Sequence, residues 1–119
     1  MFKIEDSTIH LTRGDKAEIE LTISNYELKA DDKIIFTVKK KFDAKDFIIR
    51  KVVEVTDEMI GTNTVSILLE KEDTTIGSLI AQPVKYQYDI SLNDDVTIIG
   101  YDEDGAKYFI LYPEGSNDE

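Results

Sequence analysis

The chain reads as an all-β domain, and three features of the sequence point there. Val84–Leu92, VKYQYDISL, alternates without a break: Tyr86, Tyr88, Ile90 and Leu92 share one side of an extended chain, and Lys85, Gln87, Asp89 and Ser91 share the other. A period of two sustained over such a length marks a half-buried strand. Shorter stretches with the same alternation recur along the chain, separated by Gly, Asn and Asp clusters that favour turns. Nowhere does a helical period persist for more than a turn or so. Val84–Leu92 is therefore taken as the central strand, from which the others take their register.

In chain order, Ser7–Thr12 alternates, with Ile9 and Leu11 on one face and His10 on the other. Arg13-Gly14-Asp15 breaks the run; glycine can take positive φ there and Asp15 can bond the following backbone, so a turn is expected. Lys16–Ser24 puts Ala17, Ile19, Leu21 and Ile23 inward and Glu18, Glu20 and Thr22 in water. Ser7–Thr12 and Lys16–Ser24 are expected to pair as a hairpin. Asn25–Asp32 is a loop, and Lys33–Lys39 a strand with Ile34, Phe36 and Val38 on one face and Ile35 on the other. Lys40–Asp46 is a polar connection. Phe47–Val55 is strongly β-prone, but its apolar residues fall on both parities, so its inward face stays open, with room for a bend or bulge around Arg50-Lys51.

Thr56–Thr62 is a loop pivoting on Gly61, and Asn63–Glu70 a strand with Val65, Ile67 and Leu69 inward. Lys71–Gln82 has no alternation. It reads as a helical turn or an irregular crossover, the kind of connection that passes between sheets. Pro83 opens the central strand, where its missing N–H does no harm. Asn93-Asp94-Asp95 is a hairpin turn, Val96–Tyr101 a strand, Asp102–Gly105 a tight turn and Ala106–Tyr112 the last strand, these two pairing as a second hairpin. The expected core is Ile9, Leu11, Ile19, Leu21, Ile23, Ile34, Phe36, Val38, Val65, Ile67, Leu69, Tyr88, Ile90, Ile98, Phe109 and Leu111. Seven to eight short strands at even spacing favour an immunoglobulin-like antiparallel β-sandwich over a barrel. The domain is placed at 1–113, with 114–119 a disordered acidic tail.

The 119 residues suit a single domain. The absence of cysteine excludes disulfides and thiolate or cysteine-metal chemistry. Twenty-five acidic residues against 14 basic ones give a net charge of −11, which repels nucleic acid and anionic membrane surfaces. The N-terminus, MFKIEDSTIH, has no apolar core of a secretory signal, and no apolar run approaches a membrane span. A protein made and kept inside the cell, unless released by lysis or a non-Sec route, is expected.

Each candidate site has a plainer structural reading. Arg13-Gly14-Asp15 spells an integrin-binding tripeptide, but a turn between strands needs the same glycine. Tyr86-x-Tyr88-Asp89 is either a binding stripe or, as favoured here, a place where one tyrosine packs in the core and its hydroxyl bonds a neighbouring connection. Asn93-Asp94-Asp95 and Asp102-Glu103-Asp104-Gly105 carry oxygen ligands for Ca²⁺, yet neither has EF-hand spacing, and hairpin turns account for both. One histidine and no cysteine leave no parts for a His-metal site or a Ser–His–Asp or Cys–His mechanism. Abundant carboxylates allow a hydrolytic pair in principle, but a solvated acidic face is the better reading. Lys39-Lys40-Lys41 reads as a solvated basic run. No catalytic, cofactor-binding or metal-ligating residue is assigned.

A family resemblance carries the functional expectation. Ser7–Asp15 (STIHLTRGD) opening into an alternating strand, Asp32–Lys39 (DKIIFTVK), Glu72-Asp73-Thr74, and Tyr86–Leu92 (YQYDISL) follow one another in an order that resembles small immunoglobulin-like proteins of phages and prophages of Gram-positive bacteria. The succession is similar to the N-terminal domain of baseplate upper proteins, which anchors receptor-binding machinery to the tail tip. In those proteins further domains usually follow, whereas this sequence ends soon after Pro113. The resemblance implies a non-enzymatic structural or adaptor protein of a phage or prophage tail. Its partners would be other tail or baseplate proteins or further copies of itself, with no nucleic acid, membrane or cofactor. It would reside in the bacterial cytoplasm during assembly and in the virion if incorporated. The alternative is a carbohydrate- or cell-surface-binding β-sandwich module, for which Tyr26, Tyr101, Tyr108 and Tyr112 are available as platforms.

Overall fold

The computed structural model describes residues 1–114. Nine strands build it: β1 (Phe2–Glu5), β2 (Thr8–Thr12), β3 (Ala17–Thr22), β4 (Lys33–Lys39), β5 (Ile49–Glu54), β6 (Thr64–Leu69), β7 (Val84–Leu92), β8 (Val96–Ile99) and β9 (Lys107–Tyr112). Helix is confined to a 3-10 turn at Asp57–Met59 and one α-turn, α1 (Lys71–Thr74). Among the described residues no helix is long and apolar enough to cross a membrane. The acidic tail expected over 114–119 lies, from residue 115 onward, outside the described residues.

The all-β class holds, with corrections to its detail. Among the described residues there are nine strands, not seven to eight, because Phe2–Glu5 pairs with β2 through a two-residue turn at Asp6 and Ser7. Both turn residues have positive φ, 49° and 68°, as a type I′ hairpin turn requires. The large sheet is mixed, not antiparallel throughout. Its order is β1-β2-β9-β7-β4-β5, with β8 also on β7, and β2 runs parallel to β9. A second layer holds only β3 and β6, antiparallel.

The expected hairpin of Ser7–Thr12 with Lys16–Ser24 does not form. At Arg13–Asp15 the chain does turn, with Gly14 at φ 86° and the Asp15 N–H donating to the Thr12 carbonyl at 3.0 Å. The turn carries it across to the other layer, so that Ile9 and Leu11 face Ile19 and Leu21 through the core. A turn signal specifies a change of direction, not a pairing partner.

The C-terminal hairpin is also absent. β4 occupies one edge of β7 from Gln87 to Leu92, while the other edge is divided between β9, opposite Val84–Tyr88, and β8, opposite Ile90–Leu92. β8 and β9 lie end to end along that edge, and residues 100–106 loop out between them. An isolated β-bridge, Asp102 with Gly105, links the sides of this loop. The β7–β8 turn is the expected one, with Asn93 and Asp94 at φ 56° and 60°. β5 keeps an unbroken register with β4 from Lys33–Glu54 to Val38–Ile49, so no bulge interrupts it at Arg50-Lys51. Its inward residues are Ile49 and Val53, and Val52 is exposed.

The core contains every expected residue except Ile98, which packs half-buried against it. It also takes Tyr86, Ile49 and Leu28, the last from the loop before β4. Full burial of each large side chain contributes about 1.5–3 kcal/mol. Lys71–Gln82 contains the single helical turn and then crosses from the β3–β6 layer to the centre of the large sheet.

Candidate functional site

The strand alternation that buries Tyr86, Tyr88 and Ile90 turns Gln87, Asp89 and Ser91 to the outside of the large sheet. Thr37 and Lys39 stand beside them on β4, and Thr97 on β8. Two connections rise over this floor. Residues 40–48 fold back across it, and the Phe42 N–H donates to the Gln87 side-chain carbonyl. From the other side the 100–106 loop brings up Tyr101. The Phe42 and Tyr101 rings meet with centroids 4.8 Å apart, tilted by 47°, although the residues are 60% and 62% exposed. Beneath them lies a cavity of about 200 Å³ lined by Thr37, Lys39, Gln87, Asp89, Thr97 and Lys107. It continues into a broader hollow of about 490 Å³ bounded by Phe47, Arg50 and Asp94.

Gly100 makes this arrangement sterically possible. A Cβ there would sit 2.7 Å from Thr97 Cγ2 and 3.2 Å from Asp89 Cβ, so only glycine lets the chain leave the sheet beside the floor. The loop it starts is braced internally. Asp102 Oδ1 accepts from the Asp104 N–H at 2.9 Å and from Lys107 Nζ at 2.7 Å, and these bonds hold its carboxyl below the usual range.

Asp89 is the half-buried carboxylate of the floor. Burial pushes its pKa up; the nearby Lys39 ammonium opposes the shift, and Asp94 adds to it. Among the described residues no hydrogen bond or ion pair ends on its carboxylate. A half-buried carboxylate in a cleft, with its oxygens left to solvent, is a feature of ligand sites.

The other candidates are committed elsewhere. Arg13 is 7% exposed. Its Nε donates to the Ile76 carbonyl at 2.9 Å, Nη2 to the Gly77 carbonyl, and Nη1 pairs with Glu114. The guanidinium of the Arg-Gly-Asp tripeptide is thus an internal clamp. The Tyr88 hydroxyl bonds the Ser7 carbonyl, which is the structural alternative for the Tyr86-x-Tyr88 stripe. The four surface tyrosines do not form one platform. Tyr26 donates to Asp32, Tyr112 shares a hydrogen bond with His10 Nδ1, and Tyr108 lies under Lys85 Nζ, leaving Tyr101 alone over the cleft. Asn93 is fixed between the Lys33 N–H and Asp32. Among the described residues no three His, Asp or Glu side chains converge as a metal site.

Phe42 escaped the sequence reading. Its only signal is an aromatic residue standing alone in the polar Lys40–Asp46 connection. No family model matches the chain, and no curated protein or solved structure matches it.

Proposed function

We propose that the protein is a non-enzymatic structural adaptor of a phage or prophage tail, baseplate-like, immunoglobulin-like in form and acting by protein–protein contact. The observation that carries the reading is the open edge at β5. This strand ends the large sheet, and Phe47, Ile48 and Val52 are exposed on it or just before it. Unpaired N–H and C=O groups flanked by apolar side chains suit the addition of a partner's strand. The immunoglobulin-like assignment is supported by the two layers, β3 with β6 in one and β2, β9, β7, β4 and β5 in the other. The family resemblance supplies the phage setting, and assembly in the bacterial cytoplasm follows from it. Mass spectrometry of purified particles, with cross-linking, tests this. The reading expects the chain in particles with cross-links near β5, and particles lacking the chain count against it.

A second reading, a carbohydrate- or cell-surface-binding module, is favoured by the cleft beneath Phe42 and Tyr101. The β5 edge and the cleft meet at Phe47, which flanks the edge and bounds the hollow beside the cleft.

A further inference from the structure

We infer that the cleft roofed by Phe42 and Tyr101 binds one ring of a neutral saccharide, with the adjoining hollow taking the next units of the chain. The inference rests on the second reading above and gives it a site.

Four observations converge. Two aromatic rings are held together in solvent, where an apolar surface gains by covering; the C–H face of a sugar ring is apolar and flat enough to stack there. The floor offers both halves of the hydrogen-bonding that a hydroxyl needs. Asp89 accepts, and among the described residues no protein group donates to it. Gln87 has its carbonyl occupied by the Phe42 N–H, which leaves its amide N–H groups to donate. Thr37 and Thr97 do either.

Charge narrows the ligand class. The chain carries a net −11, yet Lys39, Lys45, Arg50 and Lys107 line the two hollows against Asp89, Asp94 and Asp95. Such a balanced surface favours neither a polyanion nor a basic peptide, and it suits a ligand that is polar without charge. The site is also built at a cost. Gly100 and the 100–106 loop break the strand that would otherwise run straight through β8 into β9, and the break is what places Tyr101 over Asp89.

The test uses the full chain on an array of neutral and charged oligosaccharides. The best-binding glycan is then titrated while amide chemical shifts are followed, with a Lys/Arg-rich peptide as a second probe. A neutral glycan should bind and shift Phe42, Gln87, Asp89 and Tyr101. Phe42→Ala and Tyr101→Ala should each weaken it by about tenfold, the scale of a lost aromatic stack. Asp89→Asn should weaken it as well. All three variants should melt cooperatively, since the two rings stand in solvent and no hydrogen bond among the described residues ends on Asp89. Glycan binding unchanged in all three variants overturns the site while sparing the second reading. An array with no bound glycan overturns both. Preference for the peptide over every glycan makes the cleft a protein-docking site and overturns the inference.

Discussion

The Tyr88 hydroxyl donates to the Ser7 carbonyl oxygen at 2.5 Å, tying the middle of the central strand to the turn between β1 and β2. The turn is built from two positive-φ residues without glycine, Asp6 and Ser7, so it gains from an external fastening. Tyr88→Phe keeps the ring and removes the bond. It should remain folded and lose about 0.5–1.5 kcal/mol in urea unfolding. Tyr86→Phe, on the same face, is the control and should lose less. Equal losses would show that the Ser7 bond adds nothing.

Burial also raises the Tyr88 pKa to about 12. A phenol whose folded pKa exceeds its unfolded value of about 10 contributes stability that is complete below the lower value and lost as pH rises through the upper. In alkali, Tyr88→Phe should therefore unfold less steeply with pH than the parent. Melting temperatures at closely spaced pH values above 9 are the measurement, and identical slopes would assign alkaline unfolding to other groups.

Arg13 joins three parts of the chain that sequence separates: the turn after β2, the crossover at Ile76 and Gly77, and Glu114 beyond β9. The planar fork makes this possible, and an ammonium cannot reproduce it. Arg13→Lys should cost about 1–3 kcal/mol despite the conserved charge. It should also raise amide exchange at 76–77 before the strands are affected. Unchanged stability in the lysine variant would mean that charge alone suffices.

Much of the fold was legible because alternation reports burial directly. Ile19, Leu21, Val65, Ile67 and Phe36 all lie where a period of two places them. Pairing was less legible, since Ile9 and Leu11 would be buried equally well in a β2–β3 hairpin or in the observed parallel pair with β9. β1 stayed hidden because it is largely exposed and so shows no buried face. The cleft was only partly readable. Asp89 was seen in its strand and Tyr101 among the platforms, but Phe42 meets Tyr101 only after a connection folds over the sheet, and no local pattern encodes that. The role of Gly100 is likewise steric and depends on neighbours brought up by the fold, Thr97 and Asp89. Gly100→Ala should lose about 1–3 kcal/mol by overpacking.

Asp32 has the opposite electrostatic character to the residue at the cleft floor. It accepts from the Tyr26 hydroxyl at 2.6 Å, from Asn93 Nδ2 at 3.0 Å and from the Lys29 N–H at 2.9 Å, and these bonds hold its pKa down. A carboxylate depressed on folding contributes stability that is present above its unfolded pKa of about 4 and lost as pH falls through the lower folded value. Asp32→Asn should lower the melting temperature at neutral pH and flatten its decline in acid. A parallel decline in parent and variant would place acid sensitivity elsewhere.

At Asp89 the sign reverses. Its folded pKa is raised, chiefly by burial, so its contribution is favourable below the unfolded pKa of about 4 and is lost as pH rises through the higher folded value. Burial disfavours the charged carboxylate there, with Lys39 offsetting part of the cost. Asp89→Asn removes that charge and keeps the shape, so it should raise the melting temperature at neutral pH and leave it unchanged in acid. The same substitution should weaken glycan binding. A residue whose replacement improves the fold and damages binding is held for its ligand, not its scaffold. If Asp89→Asn instead melts lower at neutral pH, attraction to Lys39 outweighs burial and the carboxylate is part of the scaffold.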